Sequence, residues 1–172
     1  MDLHPIIIHL PIAGLALYTC IEIISHFSKP FNERFLNTKY FLLFVGVIGT
    51  FMALQTGEIA EHIMLWHSNL VKVHSTFANL THFSYMVIAI LYALTLIINH
   101  KIWAKYRIKP LQKYLPKITQ FLTHIYTHYI IIVVSILWFF FLSITWALGG
   151  AITHGTTDDP VSAWAVNTFV GQ

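Results

Sequence analysis

Four apolar stretches constrain this chain more than any other feature, because each is close to the roughly 20 helical residues that cross a bilayer. We predict spans at about 5–26, 40–57, 74–99 and 121–148. Charged residues make up 10% of the chain and hydrophobic residues 56%, so the charges are too few to cover a water-soluble surface. The sequence therefore predicts one all-α membrane domain over residues 1–172, built as a bundle of four transmembrane helices.

The distribution of Lys and Arg predicts how this bundle is oriented. Segment 27–39 contains three cations, the basic loop 100–117 contains six, and the outer loop 58–73 contains one. Cytoplasmic loops are rich in Lys and Arg, so segments 27–39 and 100–117 are predicted to be cytoplasmic. Both termini then face the periplasm, and the protein is expected to be a multi-pass protein of the bacterial inner membrane. Its cations are expected to bind anionic lipid head groups, so their excess requires no nucleic-acid partner.

Histidine is the unusual residue of this chain, with eleven copies against ten Lys and Arg. The single cysteine, Cys20, excludes an iron–sulfur cluster held by several thiolates, and the absence of CxxCH excludes covalently attached c-type haem. Histidines inside membrane spans are costly and usually face the bundle interior. By the predicted topology, seven of them belong to the outer half: His4, His9, His62, His67, His74, His82 and His154.

Two of these histidines lie above stripes of small side chains, which would let a flat cofactor lie against the helix. We predict His9 and His74 as the cofactor-binding pair and as the axial ligands of one haem iron. Small residues on a helix face also serve ordinary helix packing in membranes, so a structural role for both histidines stays open. The stripes consist of Ala13, Ala16 and Cys20 below His9, and of Ala78 and Ala89 below His74.

The motifs around these histidines resemble those of a known family. HPIIIHLPIA (4–13) resembles the HPxxVHFPIA opening of small bacterial membrane proteins catalogued as domain of unknown function 2231. TGEIAEH (56–62), HSTFAN (74–79) and GGAITHG (149–155) are similar to further segments of that family, in the same order. The first motif carries two conservative changes, and the last is shorter than the family's pattern.

The resemblance implies electron transfer, because relatives of this family are sometimes joined to Rieske or c-type cytochrome domains. Other membrane or periplasmic redox subunits are therefore the expected partners. Imidazole suits iron, copper and zinc, and a b-type haem between two imidazoles is the simplest centre that fits. A second imidazole pair, and a second haem, is expected if the chain turns back at Gly149, Gly150 and Gly155 and brings His154 to His4.

The leading hypothesis is a membrane haem-b electron-transfer protein that passes electrons between quinol, or a respiratory partner, and an outer-side acceptor. It is a redox component rather than a stand-alone enzyme, and no catalytic residue is predicted. Glu58, Glu61 and His62 are predicted to take a quinol proton, although a solvated helix face is the simpler interpretation. Two alternatives stay open: a cofactor-free structural or assembly subunit of a respiratory complex, and a non-haem copper, iron or zinc site.

Overall fold

The prediction of an all-α membrane fold is confirmed for the part of the chain that the structure describes. The computed structural model describes residues 4–64, 68–99, 117–118, 120–121, 130–157 and 159–171, without the side chains at 4–6, 63–64, 98–99 and 130. Four helices in these ranges are long and apolar enough to cross a membrane. The elements are α1 (His4–Phe27), α2 (Lys29–Met64), α3 (Asn69–Asn99), α4 (Ile130–His154) and α5 (Pro160–Phe169).

The four long helices form a ring in which each packs against two neighbours. Helix α1 contacts α2 and α4, and α3 contacts the same two helices from the opposite side. Neighbours are antiparallel, since Leu15 lies against Gly46 while Glu22, further along α1, pairs with Lys39. The start of α1, the α2–α3 connection and the end of α4 therefore share one end of the bundle, the His4 end. The opposite end, where α1 meets α2, is the Ser28 end.

Helix α2 corrects the prediction that segment 27–39 is a loop. Only Ser28 separates α1 from α2, and its N–H donates to the Ile24 carbonyl at 3.2 Å while its carbonyl accepts the Asn32 N–H at 2.9 Å. The 36 residues of α2 extend over about 54 Å, well beyond the roughly 30 Å of a bilayer's hydrocarbon core. The predicted limits 40–57 mark only the apolar part of this helix.

The start of α3 and the end of α4 also lie beyond the predicted limits of their spans, and residues 122–129 of the predicted fourth span lie outside the described residues. Helix α3 begins at Asn69, so much of the predicted outer loop 58–73 is helical. Gly149 and Gly150 lie within α4, and the chain turns instead at Gly155, whose φ of 78° suits glycine. All but the last residue of the predicted basic loop 100–117 lies outside the described residues.

The short helix α5 has no counterpart among the predicted elements. Asp159 caps it by accepting the Val161 N–H at 2.9 Å, and Pro160 occupies a first-turn position that needs no donor. The Ser162 hydroxyl is buried and lies 2.9 Å from the Ala147 carbonyl. This contact holds α5 against α4 close to the His4 end of the bundle.

Helices α1 and α2 form the most extensive pair of the bundle, and glycine makes their approach possible. A Cβ atom added at Gly49 would lie 3.0–3.3 Å from ring atoms of Pro11. One added at Gly46 would overlap the Leu15 side chain, and both Pro11 and Leu15 are buried. The glycines of α2 therefore serve close helix packing, as small residues commonly do in membranes.

Candidate functional site in the helix bundle

The predicted ligands His9 and His74 lie in different surroundings. His9 is exposed on α1, as are Ala13 and Cys20 below it, while Ala16 of the same stripe is half-buried and packs against the core. His74 is half-buried towards α4, where its Cε1 atom lies 3.2 Å from the position that a Cβ at Gly149 would take. The assignment of His9 and His74 as the axial ligands of one haem iron stays a prediction.

The predicted second pair is placed only in part. His154 is exposed as the last residue of α4, and His4 begins α1 with its side chain outside the described part. After the turn at Gly155, α5 returns along α4 and towards α3, where the Phe169 and Phe77 rings are 5.1 Å apart. An imidazole pair at His4 and His154 stays a prediction.

The predicted quinol-proton residues lie on α2 beyond the level at which α1 begins. Glu58 and His62 are exposed there, in keeping with a solvated helix face. Glu61 is half-buried and lines a shallow open cleft together with Lys72 and Ser75 of α3. Within the described ranges, no group of three or more His, Cys, Asp or Glu residues could hold a metal ion.

The polar side chains that do meet lie deeper, on one turn of α3 that we call the donor turn: Thr81, His82 and Tyr85. All three are buried. Each of them contacts a different one of the other three long helices, so this single turn links α3 to the rest of the ring. The atom pairs are Thr81 Oγ1 with Thr145 Oγ1 at 3.0 Å, His82 Nδ1 with Thr50 Oγ1 at 2.8 Å, and Tyr85 Oη with Thr19 Oγ1 at 2.9 Å.

The threonines limit the direction of these hydrogen bonds. The hydroxyls of Thr19, Thr50 and Thr145 each lie within hydrogen-bond distance of a carbonyl of their own helix, at 2.8–2.9 Å. Because a hydroxyl has one hydrogen, each of these oxygens accepts from α3 when its own hydrogen is directed to that carbonyl. The donor turn bonds to each of the other three long helices, which fixes the register of α3 in the bundle.

A second buried cluster, near the Ser28 end, contains an ion pair. Lys39 Nζ lies 3.1 Å from Glu22 Oε2, with the two side chains 4% and 6% exposed. The Tyr92 hydroxyl of α3 donates to the same carboxylate oxygen at 2.6 Å. Asn32 Oδ1 accepts from Lys39 at 3.1 Å. We call Glu22, Lys39 and Tyr92 the inner cluster; it joins α1, α2 and α3 and balances its own charge.

The inner cluster is absent from the predicted site residues. Lys39 was expected to be a cytoplasmic loop cation, whereas it lies inside the bundle and points along α2 towards Asn32. The available signal was Glu22, the one carboxylate between His4 and Phe27. An isolated carboxylate in an apolar membrane helix needs a partner, and that requirement predicts a cation on a neighbouring helix.

The inner cluster and the donor turn are neighbours along the bundle. Thr19 and Glu22 are about one turn apart on α1, and Tyr85 and Tyr92 about two turns apart on α3. Buried Tyr18 precedes Thr19 on α1, and its ring lies 6.2 Å from that of Tyr85 in an edge-to-face arrangement. Buried groups that carry exchangeable protons therefore occur both in the middle of the bundle and near its Ser28 end.

These features define an all-helical, four-span membrane protein with a polar core at mid-bundle. A comparison of the chain with protein-family models, curated proteins and solved structures finds no match. The resemblance of 4–13 to the family described above consequently depends on the motif residues alone.

Proposed function

We propose that the protein is an electron-transfer component of a bacterial inner membrane that works with a quinol and with other redox subunits. The observation that carries this proposal is the presence of two buried polar sets, the donor turn with His82 and the inner cluster with Glu22 and Lys39. Ionisable residues inside membrane bundles are rare and usually belong to proton, ion or substrate pathways. Quinol oxidation releases protons together with electrons, so a component that uses quinol needs such groups beside it.

We retain haem b as the proposed redox group, and we assign it no ligand pair. Haem b would supply one-electron chemistry, and imidazole is the ligand this chain has in excess. His9 lies on the exposed side of α1 and His74 lies against α4, so the predicted ligation of one iron by this pair is left to a direct test. If they nevertheless hold one iron, His9→Ala and His74→Ala each abolish the low-spin spectrum while His26→Ala leaves it.

The test is a visible spectrum of the protein purified in mild detergent, recorded before and after addition of decylubiquinol, together with iron per polypeptide. We expect sharpened, split bands on reduction by the quinol. A colourless protein with stoichiometric copper, iron or zinc would replace haem by a non-haem site. A colourless protein free of metal would overturn the electron-transfer proposal.

A cofactor-free structural or assembly subunit is the second candidate. It is favoured by the exposed His9 stripe on α1, which presents the small residues Ala13 and Cys20 outside the bundle. Small residues let a helix of another subunit approach closely. Co-purification of the metal-free chain with a respiratory complex, lost in Ala13→Leu, would favour this candidate over the first.

The orientation of the bundle is proposed from its cations and can be tested separately. In a Cys20→Ser background, Thr157→Cys at the His4 end should react with a membrane-impermeant maleimide added to intact cells. Arg34→Cys at the Ser28 end should react only after permeabilisation. The reverse pattern would place the termini and the outer histidines in the cytoplasm.

A further inference from the structure

The tautomer of His82 depends on its hydrogen-bond partner, Thr50. Thr50 Oγ1 lies 2.8 Å from the Val47 carbonyl oxygen and 2.8 Å from His82 Nδ1. When the one hydrogen of this hydroxyl is directed to the carbonyl, its oxygen accepts from Nδ1, and His82 carries its hydrogen there. A second proton would place an unpaired charge in the apolar bundle, which is costly, so Nε2 keeps its lone pair and acts as an acceptor.

The surroundings of this imidazole are aromatic and face the lipid. The ring of Phe51 is 6.3 Å from the His82 ring and that of Phe83 is 5.8 Å from it. Phe51 and Phe83 are 54% and 57% exposed, while His82 itself is 8% exposed. Among the described residues, Thr50 is the one hydrogen-bond partner of this imidazole.

The depth of His82 limits which molecules can reach it. It is the fourteenth of the 31 residues of α3, so it lies about 20 Å from one end of that helix and about 25 Å from the other. Phospholipid head groups do not enter this level of a bilayer. A partner for Nε2 must therefore be soluble among acyl chains and must carry a hydrogen-bond donor.

We propose that His82 Nε2 accepts a hydrogen bond from the hydroxyl of a membrane-soluble hydroquinone whose ring lies against Phe51 and Phe83. This inference rests on the proposed function and names the binding site of its quinol. An isoprenoid hydroquinone combines the three required properties, namely an aromatic ring, a hydroxyl donor and solubility among lipid chains. Its oxidised form has only carbonyl acceptors, which cannot pair with the lone pair on Nε2, so the site selects the reduced form.

The test follows the His82 imidazole by NMR in protein with ¹⁵N-labelled histidine, purified in detergent and assigned with His82→Gln. Before any ligand is added, Nδ1 should be the protonated nitrogen. Decylubiquinol should shift the Nε2 resonance, and decylubiquinone at equal concentration should leave it in place. Equal shifts from both forms, displacement of the quinol by dodecanol, or a proton found on Nε2 would overturn the proposal.

Variants of Thr50 separate this role from a merely structural one. Thr50→Val removes the acceptor that fixes the tautomer, so preference for the quinol over the quinone should fall about tenfold, the equivalent of one hydrogen bond. Thr50→Ser keeps the acceptor and should keep the preference. Thr81→Val, which removes the neighbouring bond to Thr145, is the matched control and should also keep it. Loss of preference in both valine variants would overturn the proposal.

Failure of this inference and failure of the proposed function give different results. If the protein is colourless and free of metal but its His82 resonance still responds to decylubiquinol, the proposed binding site is supported and the electron-transfer role is excluded. If the protein contains haem and decylubiquinol reduces it equally fast in wild type and in His82→Gln, the proposed function stands and His82 is excluded as the quinol site. Loss of the haem spectrum in His82→Gln would identify this imidazole as an iron ligand and would overturn the inference.

Discussion

His9 and His82 are both histidines of membrane-spanning helices, yet their surroundings are opposite. His9 lies on the outside of α1 above exposed Ala13, whereas His82 is buried and bonded to Thr50. Their sequence settings, each within an apolar helix, do not distinguish them. In water the polar face of a helix shows which side is exposed; in a bilayer both faces are apolar, so the residue types do not reveal which one is buried.

The same contrast separates the two ends of the bundle. The His4 end contains the predicted ligands, and the described side chains there form no metal cluster. The middle and the Ser28 end contain the donor turn and the inner cluster, where each polar group has a partner on another helix. The buried polar contacts between the described helices therefore lie deeper in the bundle than the predicted ligands do.

The largest test of this contrast is removal of one charge from the inner cluster. Glu22→Gln leaves Lys39 as an uncompensated buried charge and should lower the free energy of unfolding by about 3–5 kcal/mol. The double variant Glu22→Gln/Lys39→Met removes both charges and should be clearly more stable than the single one. Unfolding by SDS titration in mixed micelles, followed by circular dichroism, measures both.

The control for this experiment is Glu58→Gln, the same substitution at an exposed position of α2. It should change the free energy of unfolding by no more than about 0.5 kcal/mol. Equal effects of Glu22→Gln and Glu58→Gln would show that the inner cluster contributes nothing to stability.

The elements that could be predicted from the sequence follow from length and hydropathy. The four spans could be predicted because an apolar run of this length indicates a membrane-spanning helix. The start of α2 was missed because residues 29–39 are largely polar, although they form one helix with the apolar residues that follow them. Helix α5 had a recognisable start, since an Asp followed by Pro is a common N-terminal signal, here Asp159 and Pro160.

The candidate site was harder to predict, because it depends on which faces meet. The periodicity of α3 places His74 and Tyr85 on one face and His82 at its edge, but it does not identify Thr50 and Thr19 as their partners. Those partners come from residues 32 and 66 positions away in the chain. Only the packing of the ring, with α1 and α3 diagonally opposed, brings them together.

A second test compares the two histidines directly. His82→Ala removes a buried ring and its bond to Thr50, and it should cost about 2–4 kcal/mol of unfolding free energy. His9→Ala at an exposed position should cost at most about 0.5 kcal/mol. The same SDS titration measures both, and a larger loss for His9→Ala would reverse the assignment of the inner and outer faces.

A third test concerns the faces of α1. Gly49→Ala would place a methyl group 3.0–3.3 Å from the rigid ring of Pro11, and overpacking of this kind costs about 1–3 kcal/mol. Gly14→Ala adds a methyl 3.7 Å from the Leu42 carbonyl, an ordinary contact between the same two helices. We expect Gly49→Ala to lower the temperature of thermal unfolding in detergent, and Gly14→Ala to leave that temperature unchanged or to raise it. If the two variants melted together, α1 would not be packed on α2 through Pro11.

The smallest expected effect is at α5, and it depends on pH. The Ser162 hydroxyl first, and then the Val161 N–H, hold the pKa of the Asp159 carboxyl below its ordinary value. A group whose pKa is lowered in the folded state contributes stability above its unfolded pKa and loses it as pH falls through the folded value. The cap on α5 should therefore weaken in acid, below the ordinary range of an aspartate near pH 4.

Hydrogen exchange of the Ala163 amide, which donates to the Asp159 carbonyl at 3.0 Å, should accelerate in Asp159→Ala at neutral pH, while amides of the donor turn keep their protection. Acceleration of both sets would mean that α5 stabilises the whole bundle rather than covering one side of it.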